Sequence, residues 1–250
     1  LISISQNSSE FEVCIFVTGM HMNSLYGSTV DEVIKAGFKN IYKYINHNLG
    51  ESMDRTLAKT VEGFSQYIEH VKPDMIVVHG DRVEALAGAI VGSLNNILVA
   101  HIEGGELSGT VDELIRHSVS KLSHIHFVSN ETAEKRLIQM GEIKTSIFTI
   151  GSPDIDIMFS DDLPSLETVN HYYQIPFENY AIVMFHPVTT EASAMKQYAQ
   201  DFVECLLDDH HNYIVIYPNN DLGSQAIITA FQKLKENARF RVFPSLRFEY

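Results

Sequence analysis

Cysteine and basic residues are scarce in this sequence, and each scarcity excludes a class of protein. The 250 residues include two cysteines, Cys14 and Cys205, which lie far apart in apolar runs. This spacing argues against a disulfide scaffold, and we expect two buried free thiols in a reducing compartment. Lysine and arginine number 18 against 32 acidic residues, a formal net charge of −14. Because nucleic-acid backbones are bound by clustered basic residues, this scattered set argues against a nucleic-acid partner.

Long apolar runs are absent as well. No stretch approaches the roughly 18 consecutive apolar residues that a membrane helix needs, and there is no basic-then-apolar leader. We therefore expect a cytoplasmic protein with no membrane partner. Hydrophobic residues still make up 45% of the chain, which excludes a disordered polyelectrolyte. The length fits one large domain or two of about 100 to 150 residues.

What the sequence does contain is a repeated alternation of short β-rich runs and helical patterns, which is typical of parallel βαβ units. The candidate strands are residues 11–18, 75–79, 97–102, 124–128, 146–150, 180–185, 213–217 and 239–243. The candidate helices are residues 54–70, 112–122, 130–140, 192–207 and 224–236, the third of them capped by Asn130 and Gly141. This alternation predicts a doubly wound α/β fold.

Polar residues and prolines interrupt the alternation over residues 159–178, which predicts an interdomain connection. Residues 1–158 would form an N-terminal domain with most of the candidate carboxylates, and residues 179–250 would belong to a C-terminal domain. Only three strands are predicted in the C-terminal domain, and a three-stranded layer has exposed edges and little core. We therefore expect this domain to be incomplete in the chain.

Candidate functional residues follow the predicted strands, because ligands of open parallel sheets bind outside the carboxyl ends of the strands. After residues 75–79, Gly80 permits a tight turn, and Asp81 beside Arg82 suits an anionic or hydroxyl-rich ligand. Asp81 could equally be an N-cap residue paired with Arg82. After residues 97–102, Glu103 opens a glycine-rich loop. Desolvation there would raise its pKa toward the range useful in acid–base catalysis, although an exposed glutamate in a flexible loop is the alternative.

A third group of charged residues opens the helix predicted at 112–122. Asp112 and Glu113 would stabilise the positive end of the helix, which is the simpler interpretation. Glu113, Arg116 and His117 are three and four positions apart and therefore share a face. A carboxylate, a guanidinium and an imidazole on one face could also form an acid–base group.

The C-terminal part has two further candidates. His186 follows the strand at 180–185 and could contact phosphate or sugar, although a single histidine is often structural. Asn219 follows the strand at 213–217, before a helix start that suits phosphate oxygens or ribose. The chain has 12 histidines, but no set of three has convincing ligand spacing, so we expect no metal site.

In order and spacing, these motifs resemble the hydrolysing UDP-N-acetylglucosamine 2-epimerases of sialic-acid biosynthesis. The motifs that carry the resemblance are His79-Gly80-Asp81-Arg82, His101-Ile102-Glu103-Gly104-Gly105-Glu106 with Ser108-Gly109, residues 112–117, and His186-Pro187-Val188-Thr189-Thr190. Residues 17–21, 26–29 and 151–154 are also similar to that family, so that the resemblance covers essentially the whole chain. Glu103-Gly104-Gly105 and Gly80-Asp81-Arg82 side with the hydrolysing branch rather than with the non-hydrolysing one.

The resemblance implies a GT-B-like fold, with two Rossmann-like doubly wound domains facing a cleft, the second of them nucleotide-binding. It also implies conversion of UDP-N-acetylglucosamine to N-acetylmannosamine and UDP. In the family mechanism, elimination of UDP gives a 2-acetamidoglucal, to which water then adds. A UDP-sugar would be the substrate, with no cofactor and no metal, and the protein would be a homodimer or homotetramer.

The resemblance also assigns residues. The catalytic set would be Asp81, Glu103, Asp112, Glu113 and His186, with His186 stabilising the leaving diphosphate. The substrate-binding set would be His21, Arg82, Ser108, Arg116, His117 and Asn219. Which carboxylate is the base and which the acid stays open.

Two family features have no counterpart in this sequence: a first strand followed by an arginine-bearing loop, and a Gly-Asn-Ser-Ser loop that holds the UDP phosphates. We therefore expect an incomplete nucleotide site. Two alternatives follow. One is a related hydrolysing epimerase of a UDP-2,4-diacetamido-sugar in the legionaminic-acid pathway. The other is an inactive sugar-nucleotide-binding fragment.

Overall fold

A computed structural model describes residues 6–48 and 50–250, so that residues 1–5 of the predicted first domain and Leu49 lie outside the described part. The chain forms two compact units. The first comprises the chain up to Gly19 together with Val33–Phe159, and the second comprises Met20–Glu32 together with Ser160–Tyr250. The segment Met20–Glu32 therefore belongs to the second unit. A division of the chain into two consecutive stretches does not predict this grouping.

Nine strands and nine α-helices are found in the described residues. The strands are β1 (Ile15–Val17), β2 (Ile41–Lys43), β3 (Met75–His79), β4 (Leu98–Ile102), β5 (Ile125–Val128), β6 (Ile147–Thr149), β7 (Ala181–Met184), β8 (Tyr213–Ile216) and β9 (Phe240–Phe243). The helices are α1 (Val30–Lys35), α2 (Met53–Val71), α3 (Val83–Leu94), α4 (Val111–Lys121), α5 (Glu131–Gln139), α6 (Pro153–Met158), α7 (Leu166–Tyr172), α8 (Met195–Asp208) and α9 (Ser224–Phe231).

The main sheet of the first unit has four parallel strands in the order β3-β4-β5-β6, and β1 pairs with β2 in a separate parallel sheet. In the main sheet His79 lies opposite Ile102, and His101 lies opposite His126. Since all four strands run in the same direction, their carboxyl ends meet at one edge. The loops that carry Asp81 and Glu103 are consequently neighbours.

Helix α3 packs very closely on this sheet, because two glycines face it. A Cβ atom at Gly88 would lie 2.8 Å from Cγ1 of Val78, and one at Gly92 would lie 2.5 Å from Cγ2 of Val99. Small side chains elsewhere on α3, such as Ala89, are fully buried. The close contact anchors the turn from β3 into α3, where Asp81 lies.

The second unit has a three-stranded parallel sheet in the order β7-β8-β9. Its core combines β8 with the apolar faces of α8 and α9, including Val203, Val215 and Phe231. Tyr26 from the segment Met20–Glu32 is also buried in this core, and its hydroxyl lies 3.4 Å from the Ser224 hydroxyl at the start of α9. This segment is therefore part of the second unit's structure.

Both cysteines are free, but the prediction that both are buried is wrong. Cys14 is half-buried and Cys205 is exposed. Cys205 lies on α8 between Val203 and Leu206, which are the residues that face the core. In the part of the chain that the structure describes, no helix is both long and apolar enough to span a membrane.

Candidate active site

The turn after β3 depends on Gly80 and holds Asp81 in an ion pair. Gly80 has a φ of 73°, in the left-handed region that favours glycine, and its N–H donates to the Ile102 carbonyl at 3.0 Å. Asp81 accepts from the Arg116 guanidinium of α4, and both side chains are largely buried. The N-cap residue of α3 is Arg82, so the alternative reading of Asp81 as the N-cap is wrong.

Glu103, the first residue after β4, is held from three directions. Its N–H donates to the Phe127 carbonyl at 2.8 Å. Its Oε2 lies 2.8 Å from Nε2 of His79, and its Oε1 accepts from the Ser152 hydroxyl at 2.9 Å. Glu103 also has a φ of 63°, a conformation that costs a non-glycine residue on the order of 1–3 kcal/mol and persists where surrounding contacts enforce it.

These contacts decide the charge of Glu103. Burial alone raises its pKa, but the hydrogen bonds from His79 and Ser152, with the charges of His79 and Arg116, outweigh burial and bring the pKa below its ordinary value. The sequence-based prediction of a raised pKa is therefore wrong, because it considered burial without the partners. At neutral pH Glu103 is an ionised carboxylate, ready to accept a proton.

The two carboxylates at the start of α4 accept hydrogen bonds from the end of the glycine-rich loop that precedes the helix. Glu113 accepts from the backbone N–H groups of Ser108 at 3.2 Å and Gly109 at 2.9 Å, and these hydrogen bonds, Gly109 first, lower its pKa. Asp112 accepts from the Thr110 hydroxyl at 3.0 Å. Glu113, on the third helical position, therefore reaches back past the N-cap residue Thr110 and holds the end of the preceding loop.

Arg116 and His117 retain unused donor or acceptor positions. Among the described residues, Nε of Arg116 and Nδ1 of His117 are buried without a hydrogen-bond partner. A buried polar atom of this kind can be satisfied by an ordered water or an ion, or can serve a catalytic role. The Nε atom of Arg82 lies 3.6 Å from a carboxylate oxygen of Glu84.

In the second unit the structure brings His186 and Asn219 together. The backbone N–H of Asn219 donates to Nδ1 of His186 at 3.3 Å, and the Asn219 side chain donates to Asp221 at 2.5 Å. Because Nδ1 accepts, the neutral imidazole carries its hydrogen on Nε2. His186 is exposed, so this N–H is available to an acceptor such as a phosphate oxygen.

The predicted binding residue His21 lies in the segment Met20–Glu32, which groups with the second unit. Its Nδ1 is 2.7 Å from the Thr29 hydroxyl, and its side chain is exposed. Within residues 6–48 and 50–250, no group of three or more histidine, cysteine, aspartate or glutamate side chains is arranged to hold a metal ion.

Sequence reasoning missed the partners of Glu103. His79 and Ser152 were noted only as members of motifs, and nothing in their spacing pairs them with Glu103, which lies 24 and 49 positions away. The fully buried His101 was likewise not singled out. The available signal was positional, since His79 ends β3 and Ser152 follows β6, at the edge of the sheet where Glu103 also lies.

Parallel α/β units with carboxylates and imidazoles at the carboxyl ends of their strands define the class of α/β proteins whose ligand sites lie at that edge of the sheet. A family model described as UDP-N-acetylglucosamine 2-epimerase matches residues 4–250. The chain belongs to this family, as its motifs indicated.

The chain is similar to individual members along its whole length. It is 51% identical over 250 residues to "UDP-N-acetylglucosamine 2-epimerase" of Neisseria meningitidis serogroup B, covering 100% of this chain and 66% of the relative. It is 36% identical over 244 residues to "UDP-N,N'-diacetylbacillosamine 2-epimerase (hydrolyzing)" of Legionella pneumophila, covering 96% and 64%. The chain thus spans slightly less than two thirds of the length of these relatives.

Solved structures agree on the fold. A Neisseria meningitidis UDP-GlcNAc 2-epimerase bound to UDP-GlcNAc superposes with a TM-score of 0.76 at 18% identity, over 98% of this chain and 68% of the other. At this identity the similarity establishes the fold alone. It confirms the predicted GT-B-like α/β class.

Proposed function

We propose that the protein is a hydrolysing 2-epimerase that converts UDP-N-acetylglucosamine to N-acetylmannosamine and UDP for sialic-acid biosynthesis. The observation that carries the proposal is the ionised Glu103 carboxylate, with one oxygen on His79 and the other on Ser152, beside the loop of the Asp81–Arg116 pair. The name of the 51% identical Neisseria relative supports the substrate, and the word "hydrolyzing" in the Legionella relative's name supports the reaction type.

The chemistry accounts for a carboxylate base. The C2 proton of the sugar is weakly acidic, so the C1–O bond breaks first and its electron pair leaves with UDP. Glu103 then takes the C2 proton, and the C2–H electron pair forms the C1–C2 double bond of the glucal. Water next adds its oxygen to C1 and gives up one proton to a carboxylate base, while a second acid protonates C2 from the opposite face.

The other carboxylates fit different tasks. Asp81, held by Arg116, is our candidate for the second acid–base group. Glu113 uses one oxygen to accept from two backbone N–H groups, so we assign it to shaping the loop, and Asp112 remains a candidate for proton transfer. In the second unit, His186 would donate its Nε2–H to the departing diphosphate.

The partners follow from the same proposal. His21, Arg82, Ser108, Arg116, His117 and Asn219 would contact the UDP-sugar, and the reaction needs no cofactor. We propose a homodimer or homotetramer in the cytoplasm. Sedimentation equilibrium tests the assembly, and a monomer at micromolar concentration would contradict it.

Incubation with UDP-N-acetylglucosamine, followed by proton NMR, tests the function. We expect UDP and N-acetylmannosamine to accumulate with the chain or with any longer protein that its gene encodes. UDP-N,N'-diacetylbacillosamine is the matched second substrate, because the Legionella relative is named for it. Turnover of that sugar alone would move the protein to the legionaminic-acid pathway, whereas binding without turnover of either would indicate a binding module.

A further inference from the structure

A buried imidazole lies directly behind the turn that carries Asp81. His101, the fourth residue of β4, is fully buried. Its Nε2 is 2.9 Å from the Gly80 carbonyl oxygen, and its Nδ1 is 3.1 Å from the Ser120 hydroxyl oxygen of α4. Because a carbonyl oxygen can only accept, Nε2 carries the hydrogen, and in the neutral ring Nδ1 accepts from the Ser120 hydroxyl.

The surroundings keep this ring neutral. Burial lowers the pKa of His101 to about 4; the hydrogen bond to Gly80 opposes the shift, while His126, Arg116 and His79 add to it. These three groups face the ring from β5, α4 and β3. Near neutral pH the imidazole is therefore uncharged, and a single tautomer satisfies both of its contacts.

Helix α4 holds the Asp81 turn in two ways. Arg116 pairs directly with the Asp81 carboxylate. Ser120, one turn further along the helix, reaches the Gly80 carbonyl through the imidazole of His101. The position of Asp81 thus depends on a side-chain contact and on a separate contact to the backbone just before it.

The loop after β4 packs closely against the imidazole. A Cβ atom at Gly104 would lie 2.8 Å from Nδ1 of His101 and 2.8 Å from the Ser120 hydroxyl oxygen. The loop that begins at Glu103 therefore presses on the same ring that supports Gly80. One buried side chain lies against both carboxylate-bearing loops.

We propose that His101 is a positioning residue for the epimerase reaction: its neutral Nε2–H tautomer fixes the Gly80 carbonyl, and so the turn that presents Asp81, against helix α4. The expected change in kcat rests on the proposed function. The hydrogen bond that fixes the Gly80 turn rests on the geometry alone.

Two substitutions separate the two contacts. The Nε2 amide of His101→Gln reaches as far as imidazole Nε2 and can still donate to Gly80, whereas the shorter amide of His101→Asn can replace only Nδ1. We expect the asparagine variant to lose on the order of 10²-fold in kcat with little change in KM, and the glutamine variant to stay within about threefold of wild type, because small displacements of a catalytic group have effects of this size. Equal kcat values for the two variants would overturn the proposal.

A control separates positioning from general destabilisation. Val119 is fully buried on α4 beside Ser120, and its apolar side chain can form no hydrogen bond to the Gly80 carbonyl. Val119→Ala should lower the melting temperature about as much as His101→Asn while leaving kcat unchanged. If Val119→Ala reduces kcat as strongly as His101→Asn, loss of stability explains both and the proposal is wrong.

Nuclear magnetic resonance tests the contact without turnover. A long-range ¹H–¹⁵N spectrum at pH 7 should show His101 as the Nε2–H tautomer, and the ¹³C resonance of the Gly80 carbonyl should move in His101→Asn but not in His101→Gln. The Nδ1–H tautomer, or an unmoved Gly80 resonance, would overturn the positioning inference even in an active enzyme. The expected spectra without UDP release would instead leave the inference standing and overturn the proposed function.

Discussion

Two glycines of the loop after Glu103 offer a direct test of how this loop is packed. Gly105 and Gly109 both have left-handed backbones, with φ values of 82° and 69°. A Cβ atom at Gly105 would lie 2.7 Å from the Ala133 carbonyl oxygen, whereas one at Gly109 would meet nothing within 4 Å. Substituting alanine at each position therefore applies the same backbone penalty with and without a steric clash.

The expected magnitudes follow from these two contributions. A left-handed alanine costs about 1–2 kcal/mol, so Gly109→Ala should lower the free energy of unfolding by that amount. Gly105→Ala adds the clash with backbone of α5, and overpacking of this kind costs about 1–3 kcal/mol more. Both substitutions reduce the conformational entropy of the unfolded chain by the same amount, so this contribution cancels in the comparison.

Hydrogen exchange of β4 and α4 peptides across a urea series measures this difference in the first unit. Because the exchange is followed in individual peptides, the stability of the first unit is measured separately from that of the second. We expect Gly105→Ala to be the less stable variant by at least about 1 kcal/mol. Equal free energies of unfolding would refute the close contact between the loop and α5.

Three further predictions concern the charges around the site. Ser152→Ala removes a hydrogen bond that lowers the pKa of Glu103, so the acidic limb of the rate profile should move to higher pH; an unmoved limb would contradict the contact. The wild-type free energy of unfolding should fall as pH decreases from about 6.5 to about 4, because a buried neutral histidine is protonated first in the unfolded chain. His101→Gln removes this contribution, so urea titrations at several pH values should show a smaller decrease for the variant. Arg116→Lys should retain more turnover than Arg116→Ala, since a lysine can still neutralise Asp81, and equal activities would exclude the ion pair from the mechanism.

Secondary structure was largely predictable from the sequence, because short apolar runs and helical spacing record burial. Strand β3 has the predicted bounds, and Asn130 caps α5 by accepting from the Ala133 N–H at 2.9 Å. Strand β2 was missed because its three residues show no alternation of apolar and polar side chains: Ile41 is half-buried, and Tyr42 and Lys43 are exposed. The predicted strand at residues 11–18 shortens to Ile15–Val17.

The candidate site was predictable in its location but not in its contacts. The rule that ligands lie beyond the carboxyl ends of parallel strands selected Asp81, Glu103 and His186. It could not show that Ser152 and His79 would each hold one oxygen of Glu103, because those contacts form only in the folded sheet. The direction of the Glu103 pKa shift depends on those partners, which is why burial alone predicted the wrong sign.

The domain boundaries at residues 158 and 178 remain predictions. The structure adds that Met20–Glu32 groups with the later part of the chain. The cause is local packing, since Tyr26 is buried beside α9 and a Cβ atom at Gly27 would lie 2.6 Å from the Ser245 hydroxyl oxygen. Sequence order holds no signal for such a grouping.

The central claim is that Glu103 removes the C2 proton of a UDP-sugar. Reaction with UDP-N-acetylglucosamine in D₂O, followed by NMR, tests it most directly, with Glu103→Gln as the matched variant that keeps size and loses charge. We predict UDP release and N-acetylmannosamine with deuterium at C2 from the wild-type protein, and turnover reduced on the order of 10²–10⁴-fold in the variant. Product that retains protium at C2, or a variant as active as wild type, would contradict the account.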